Sequence, residues 1–293
     1  MKYVIITPVY NEENYIKFTL ESVINQTLLP IEWIIVDDGS IDNSSKIIKE
    51  YIKGKNWIKY INIIKDGKEK YSSGANVARA VNKGIENISD NNFDFIVKLD
   101  ADLTLPNDYF EKISSHFIEN NKIGICGGIC AINIMGEWKI ERISNPDHVR
   151  GPIKSYRTNC FKIIGGIKPI EGWDVIDELL SLYNGFEIFV DEKLIVKHHR
   201  KTDTKTGNYK ASIKSGKSYY IIGFNFFVVL IGAIKKSITC KPYFFSGVLA
   251  IYGYLHSYFT KQKKVVNEKE ANYINKHRLK SAFKLKKIKN IYG

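Results

Sequence analysis

Cysteine is scarce in this chain. Four residues, Cys126, Cys130, Cys160 and Cys240, are spread over 293 positions. That excludes a disulfide scaffold and fits a reducing compartment. Proline (7) and methionine (2) are few and glycine numbers 21, which excludes collagen-like and low-complexity chains. Acidic residues are nearly missing from the last third. Residues 193–293 hold 22 basic and 3 acidic side chains, net +19, against 22 and 28, net −6, for residues 1–192. A leader peptide is not expected either. Met1-Lys2 is followed by a short apolar run that ends at Asn11-Glu12-Glu13, with no small-residue cleavage site, so the fold is read as starting at Met1 in the cytoplasm. What is present is 44% hydrophobic residue content, enough for one large domain, or a domain plus an appendage.

The basic third is interrupted by two charge-free apolar stretches, 218–234 and 242–260, bracketed by Lys217, Lys235, Lys236, Lys241, Lys261, Lys263 and Lys264. Each is at the lower edge of what spans a bilayer, roughly 17–25 residues. A spanning hairpin would put Lys235, Lys236 and Lys241 on the outer side, against the positive-inside tendency. The expectation is therefore helices lying in the cytoplasmic leaflet, their lysines on anionic headgroups. Buried or dimer-forming helices are the plain alternative. A boundary near residue 205 divides the chain into 1–205 and 206–293.

Before that boundary, strands alternate with helices. Residues 2–9, 31–36, 57–64 and 93–99 read as strands. Residues 12–25, 42–52, 73–88 and 106–119 read as helices, the second capped by Asp42. This alternation implies a parallel, helix-covered α/β sheet. Later come strands at 123–135, 138–143 and 186–196, and a helix at 173–184 ended by Gly185.

Ligands of open α/β sheets bind beyond the carboxyl ends of the strands. Three of the expected strands end in polar residues there. The first gives Thr7-Pro8-Val9-Tyr10-Asn11-Glu12, the second Asp37-Asp38, the fourth Asp100-Ala101-Asp102. Converging carboxylates repel one another and raise one another's pKa. A divalent cation such as Mg²⁺ or Mn²⁺, held by one or two carboxylates and substrate phosphate oxygens, resolves that conflict.

The ordered set TPVYNEE, VDDGS with Asp42, KLDAD, GWDVIDELL and KHH resembles the inverting GT-A glycosyltransferases of family two over roughly residues 1–200. The resemblance implies a mixed α/β sheet with helices on both faces, and transfer of a sugar from a nucleoside diphosphate sugar with Mn²⁺ or Mg²⁺. It implies that Pro8, Tyr10 and Glu12 line the nucleoside pocket and that Asp38, with Asp37, bonds base or ribose. Asp102 would hold the metal; Asp100 would meet the ribose or a metal-bound water. His198 or His199 would close on the metal or diphosphate. Trp173-Asp174 stands where the family carries Glu-Asp, so Asp174 is the expected base, Asp177 the second choice, and Glu178 rotates away. Gly74 and Arg79 look like the helix below the diphosphate, and Gly151 with Tyr156-Arg157 like the acceptor side. The appendage makes a glycan or lipid-linked acceptor at the membrane surface the expected partner, in cell-surface glycan or glycolipid synthesis.

Rival readings are a sugar nucleotidyltransferase and a basic adaptor binding membrane or nucleic acid. The first calls for a Gly-rich, Arg/Lys-containing loop after the first strand, where TPVYNEE stands. The second leaves the acidic clusters of the first two thirds without a use, and nucleic acid is not an expected partner. A relaxed phosphate-loop match at 211–218 follows a polar stretch, not a strand, and is set aside.

Overall fold

The computed structural model describes residues 1–64, 73–141, 147–200 and 209–289. The chain divides into two compact units, one of Met1–Pro169 with Trp173–Thr202, the other of Ile170–Gly172 with Asp203–Gly293. The expected boundary at residue 205 and the tail of the 138–143 strand lie outside the described residues.

The first unit is a mixed sheet. Strands β1 (Tyr3–Val9), β2 (Glu32–Asp37), β3 (Ile58–Asn62) and β4 (Phe95–Leu99) run parallel in the order β3-β2-β1-β4. β1, β2 and β4 are buried along their whole length, as strands covered on both faces must be. Side chains alternate across the sheet. Tyr3, Ile5, Trp33, Ile35, Phe95 and Val97 join the main core with Leu20 of α1 (Ile16–Ile24), Ile48 of α2 (Ser44–Tyr51) and Phe110 and Phe117 of α4 (Tyr109–Glu119). The other face meets α3 (Ser73–Ile85), where a β-carbon on Gly84 would lie 2.5 Å from Ile6 and 3.1 Å from Val36.

Beyond β4 the sheet is mixed, with antiparallel pairings around one parallel pair, β6 (Ile123–Ile134) with β9 (Glu187–His198). The two-residue β5 (Leu103–Thr104) pairs with β9, and β6 pairs with the short β7 (Glu137–Ile140). β8 (Ile153–Arg157) lies between β4 and β6, antiparallel to both. α5 (Thr158–Ile163) and α6 (Trp173–Tyr183) follow β8. β5, β8 and α5 are additions to the sequence-based reading.

The second unit is helical: α7 (Tyr209–Ile221), α8 (Phe226–Thr239), α9 (Phe245–Phe259) and α10 (Glu268–Lys289). The 218–234 stretch is not one helix. Gly223 takes a φ of +90°, and the side chain of Asn225 caps α8 through the Val228 amide at 2.9 Å. α7 and α9 meet backbone to backbone. A β-carbon on Gly216 would sit 1.8 Å from the Ala250 carbonyl oxygen, and one on Gly253 2.1 Å from that of Ile213. Residues 211–218, the phosphate-loop match, lie inside α7. No helix among the described residues is long and apolar enough to cross a membrane.

Candidate active site

Parallel register brings three strand ends to one edge. Val9 pairs with Asp37, and the Asp38 amide donates to the Val9 carbonyl at 2.8 Å. On the other side Ile6 pairs with Lys98, so β4 ends beside β1 and releases Asp100-Ala101-Asp102 there. A cleft of about 340 Å³ opens at this edge, within the range of small-molecule sites. Pro8, Tyr10, Glu12, Asp38, Asp100 and Asp102 line it, with Val77 and Ala80 of α3 and with Arg200.

The loop after β1 is laced to the loop after β2. The Asn11 amide donates to Ser40 Oγ at 2.9 Å, the Glu12 amide to Ser44 Oγ at 2.7 Å, and the Glu13 amide to Asp42 Oδ2 at 3.0 Å. Asn11 itself takes a φ of +54°. The N-cap of α2 is Asn43, not the expected Asp42, and Asp42 instead accepts from the Ser44 and Glu13 amides. Hydrogen bonds from Ser44 and Glu13 hold its carboxyl low against the upward push of burial.

Asp37 is withdrawn from the cleft. Its Oδ1 accepts from the Ser40 amide and its Oδ2 from the Tyr60 hydroxyl, each at 2.7 Å, so it shapes the turn that presents Asp38. Gly74 and Arg79 do not line the cleft either. Val77 and Ala80 share one helical face, whereas Arg79 is exposed and bonds Asn76 of its own helix at 2.7 Å.

The two histidines part by strand alternation. His198 is buried, and its Nε2 lies 3.4 Å from Asp102 Oδ2. His199 faces the other way, bonding Thr104 Oγ1 at 2.7 Å and stacking on Phe18 with ring centroids 3.9 Å apart. Leu103 pairs with His198 in the β5–β9 ladder, which fixes this contact. Burial works against a charged imidazole on His198, and the Asp102 carboxylate outweighs it, so its pKa is raised. Burial likewise opposes ionisation of Asp102, and His198, Arg200 and Lys98 together hold its pKa low.

Sequence reasoning missed three cations. Lys98 is buried in β4 and bonds Asp100 Oδ1 at 2.5 Å and the Gly151 carbonyl at 2.9 Å. Its signal was a lysine in an otherwise apolar strand directly before the Asp-x-Asp. Arg200 bonds Glu12 through Nη2 and lies 3.2 Å from Asp102 Oδ2 through Nε. Arg150 pairs with Glu141 at 2.9 Å, and Glu141 approaches His198 Nδ1 at 3.6 Å from behind. Glu12 is pushed up to about 7, chiefly by burial and then by Asp102, with Arg200 opposing.

Asp174 opens α6, partly exposed. It adjoins Gly151, on which a β-carbon would lie 3.5 Å from Asp174 Oδ2; Gly151 in turn holds Lys98 and thereby Asp100. His148 Nε2 is 3.8 Å from Asp174 Oδ2. Asp177, the second base candidate, cannot reach a substrate. It is fully buried, and its oxygens accept from Lys154 Nζ at 2.8 and 3.0 Å and from the Tyr156 hydroxyl at 2.6 Å. Glu178 is also turned inward, to Lys154 at 3.1 Å and His148 at 2.8 Å. Lys154 further donates to the Asp174 carbonyl. Tyr156 and Arg157 are structural, Arg157 bonding carbonyls of Phe117, Asn120 and Ile123. Of the expected acceptor-side segment, Gly151 alone adjoins the site.

The carboxylate oxygens Asp102 Oδ1 and Glu12 Oε2 are buried without a hydrogen-bond partner among the described residues. Asp102 beside His198, with an oxygen to spare, suits a hard divalent cation completed by phosphate oxygens. Among the described residues no group of three His, Cys, Asp or Glu stands at ligand spacing.

A parallel α/β half ending in a carboxylate-lined cleft, followed by a mixed set of strands that brings a histidine to Asp102, is the GT-A type of fold. The structure is similar to that of S. aureus TarS 1–349 in complex with UDP-GlcNAc (TM-score 0.56, 16% identity, 89% of this chain and 73% of that one). It is also similar to the mannosyltransferase PcManGT from Pyrobaculum calidifontis in complex with GDP-Man and Mn²⁺ (TM-score 0.54, 14% identity, 96% and 74%). The family model "Glycosyl transferase family 2" matches residues 4–168. An uncharacterized glycosyltransferase of Haemophilus influenzae is 31% identical over 219 residues, 73% of this chain and 82% of that protein. The chain belongs to glycosyl transferase family 2. Streptococcus pneumoniae GlyA, a glycosyltransferase, is 37% identical over 40% of this chain, and the minor teichoic acid biosynthesis protein GgaA of Bacillus subtilis 36% over 41%. The matches span 15% of GlyA and 26% of GgaA, so less than a third of either relative is represented.

Proposed function

We propose that this chain transfers a sugar from a nucleoside diphosphate sugar to an acceptor hydroxyl with inversion. The observation that carries the reading is the convergence of Asp38, Asp100 and Asp102 in one cleft, with a buried Asp102 oxygen left unpaired. TarS and PcManGT, which share the fold, bind UDP-GlcNAc and GDP-Man respectively.

Pro8, Tyr10 and Asp38 bind the nucleoside, between loops braced by Ser40, Asp42 and Ser44. Asp102 and His198 would hold Mn²⁺ or Mg²⁺, and Asp100, fixed by Lys98, would contact the ribose or the cation's hydration shell. When bound, the cation supplies positive charge to the leaving diphosphate. Asp174 takes the proton of the acceptor hydroxyl as that oxygen attacks the anomeric carbon from the far face. Glu178, His148 and Lys154 hold the backbone and ring neighbours of Asp174 in place.

The acceptor reading is a glycan or lipid-linked sugar at the cytoplasmic face of the membrane. Its support is the second unit. On α8, Phe226, Leu230, Ile234 and Ile238 are exposed at successive i, i+4 positions, and on α9 Phe245, Val248, Tyr252 and Phe259 are exposed. Lysines flank both helices, and the complementary occupant of an apolar row with a basic rim is an anionic lipid surface. At roughly 1.5 Å per residue α8 and α9 are too short to span a bilayer, so they lie along it.

The test is hydrolysis of a panel of nucleotide sugars by the full chain, with and without Mn²⁺. Slow hydrolysis of one donor, dependent on the cation and lost in Asp102→Ala, supports the reading. A panel hydrolysed no faster than in buffer, with the fold intact, overturns it.

A further inference from the structure

Arg200 contacts, at Oδ2, the same Asp102 carboxylate that the donor-site reading gives to another cation. Its guanidinium spans Glu12 and Asp102, the two deepest carboxylates of the cleft. On Asp102 it shares Oδ2 with His198 Nε2, which lies 3.4 Å away. Without Arg200, Glu12 and Asp102 face one another as buried carboxyl groups, a conflict that a positive charge relieves. A guanidinium does not deprotonate, and it yields such a place only by moving. Its side chain is 53% exposed, which leaves it room to move.

A divalent cation on Asp102 and a guanidinium on the same carboxylate repel each other. A diphosphate changes the balance, because its oxygens accept bidentate bonds from arginine and carry more charge than Glu12. We propose that Arg200 is a resident counter-cation, neutralising the Asp102 carboxylate until a diphosphate draws it away, so that metal and nucleotide bind as a linked pair. This rests on the cation-assisted reading above and adds an order of events to it. The free protein takes up little metal, and the cation enters with the donor. By linkage, nucleotide then raises metal affinity by the same factor as metal raises nucleotide affinity.

A role for Arg200 as mere glue between the end of β9 and the loop after β1 predicts the opposite sign. Loss of the glue loosens the site and weakens metal binding. The experiment titrates the full chain with Mn²⁺ alone, reading free Mn²⁺ by electron paramagnetic resonance. Arg200→Gln and Arg200→Met, two uncharged variants, are compared with Arg200→Lys and wild type, all checked by circular dichroism. The expected result is nucleotide-free Mn²⁺ affinity about tenfold higher in the uncharged variants, with Arg200→Lys near wild type. Calorimetric titration with UDP and with GDP, in Mn²⁺ or in EDTA, is expected to show strong coupling in wild type and reduced coupling in Arg200→Gln. Unchanged or weaker Mn²⁺ affinity in folded uncharged variants overturns the proposal. Asp102→Asn separates the two levels. If it loses Mn²⁺ while Arg200→Gln gains none, the Arg200 proposal alone fails. If Asp102→Asn binds Mn²⁺ like wild type, the metal reading of the cleft fails and takes this proposal with it.

Discussion

In the sheet unit, buried charges are matched one to another: Lys98 with Asp100, Lys154 with Asp177 and Glu178, Arg150 with Glu141, His198 with Asp102. In the helical unit the charge is one-sided and lies around exposed phenylalanines, tyrosines and isoleucines. The first arrangement fixes side chains in place, and a catalytic cleft needs that. The second leaves its charge at the surface, where the proposed lipid-facing reading puts it to use.

The largest effect is expected where the matched charges serve chemistry. Asp102→Ala and Asp174→Asn should each lower transfer about a thousandfold or more with the fold retained, read as turnover beside circular dichroism. Wild-type turnover in either would remove that residue from the mechanism. Next come matched charges that serve the fold. Lys154→Met leaves Asp177 and Glu178 facing each other in the core, and should cost about 3–5 kcal/mol in denaturant unfolding. A variant as stable as wild type would mean these carboxylates are held by something else.

In the helical unit the weak point is packing, not charge. Gly216→Ala drives a methyl into the Ala250 carbonyl and should cost about 1–3 kcal/mol. Ile234→Glu with Phe245→Glu changes exposed positions only, so melting should hardly move. Flotation with anionic vesicles should be lost in this double variant, while donor hydrolysis persists. Flotation equal to wild type would erase the contrast between the units. The smallest effect concerns Asp42, whose carboxyl is held low in the fold. A depressed carboxylate stabilises above its unfolded pKa, roughly 3.9, and that contribution fades as pH falls through the folded value. Melting temperature should therefore drop on acidification below about pH 4, and less steeply in Asp42→Asn.

The parallel half of the fold was legible because β1, β2 and β4 are largely apolar runs cut off by polar turns. β8 was not, since IKSYR carries Lys154 and Tyr156 into the core, and their partner Asp177 lies far along the chain. A two-residue strand such as β5 has no periodicity to read. Likewise, 218–234 showed apolar character throughout, and only the positive φ of Gly223 and the Asn225 cap divide it. In the site, Asp38, Asp100 and Asp102 could be found from position, since register follows from parallel pairing. Asp37 could not be told from Asp38 without Tyr60, nor Arg79 from Val77 without the phase of α3. His198 and His199 differ by one step of a strand whose facing was unknown until β5 paired with it.

The hydrogen bonds that tie Asn11, Glu12 and Glu13 to Ser40, Asp42 and Ser44 have an evolutionary corollary. Segments thirty residues apart in sequence answer to each other as one composite part. Grafting either segment alone from a relative would break the lacing, so under the proposed nucleoside-pocket reading the two loops change as a matched pair.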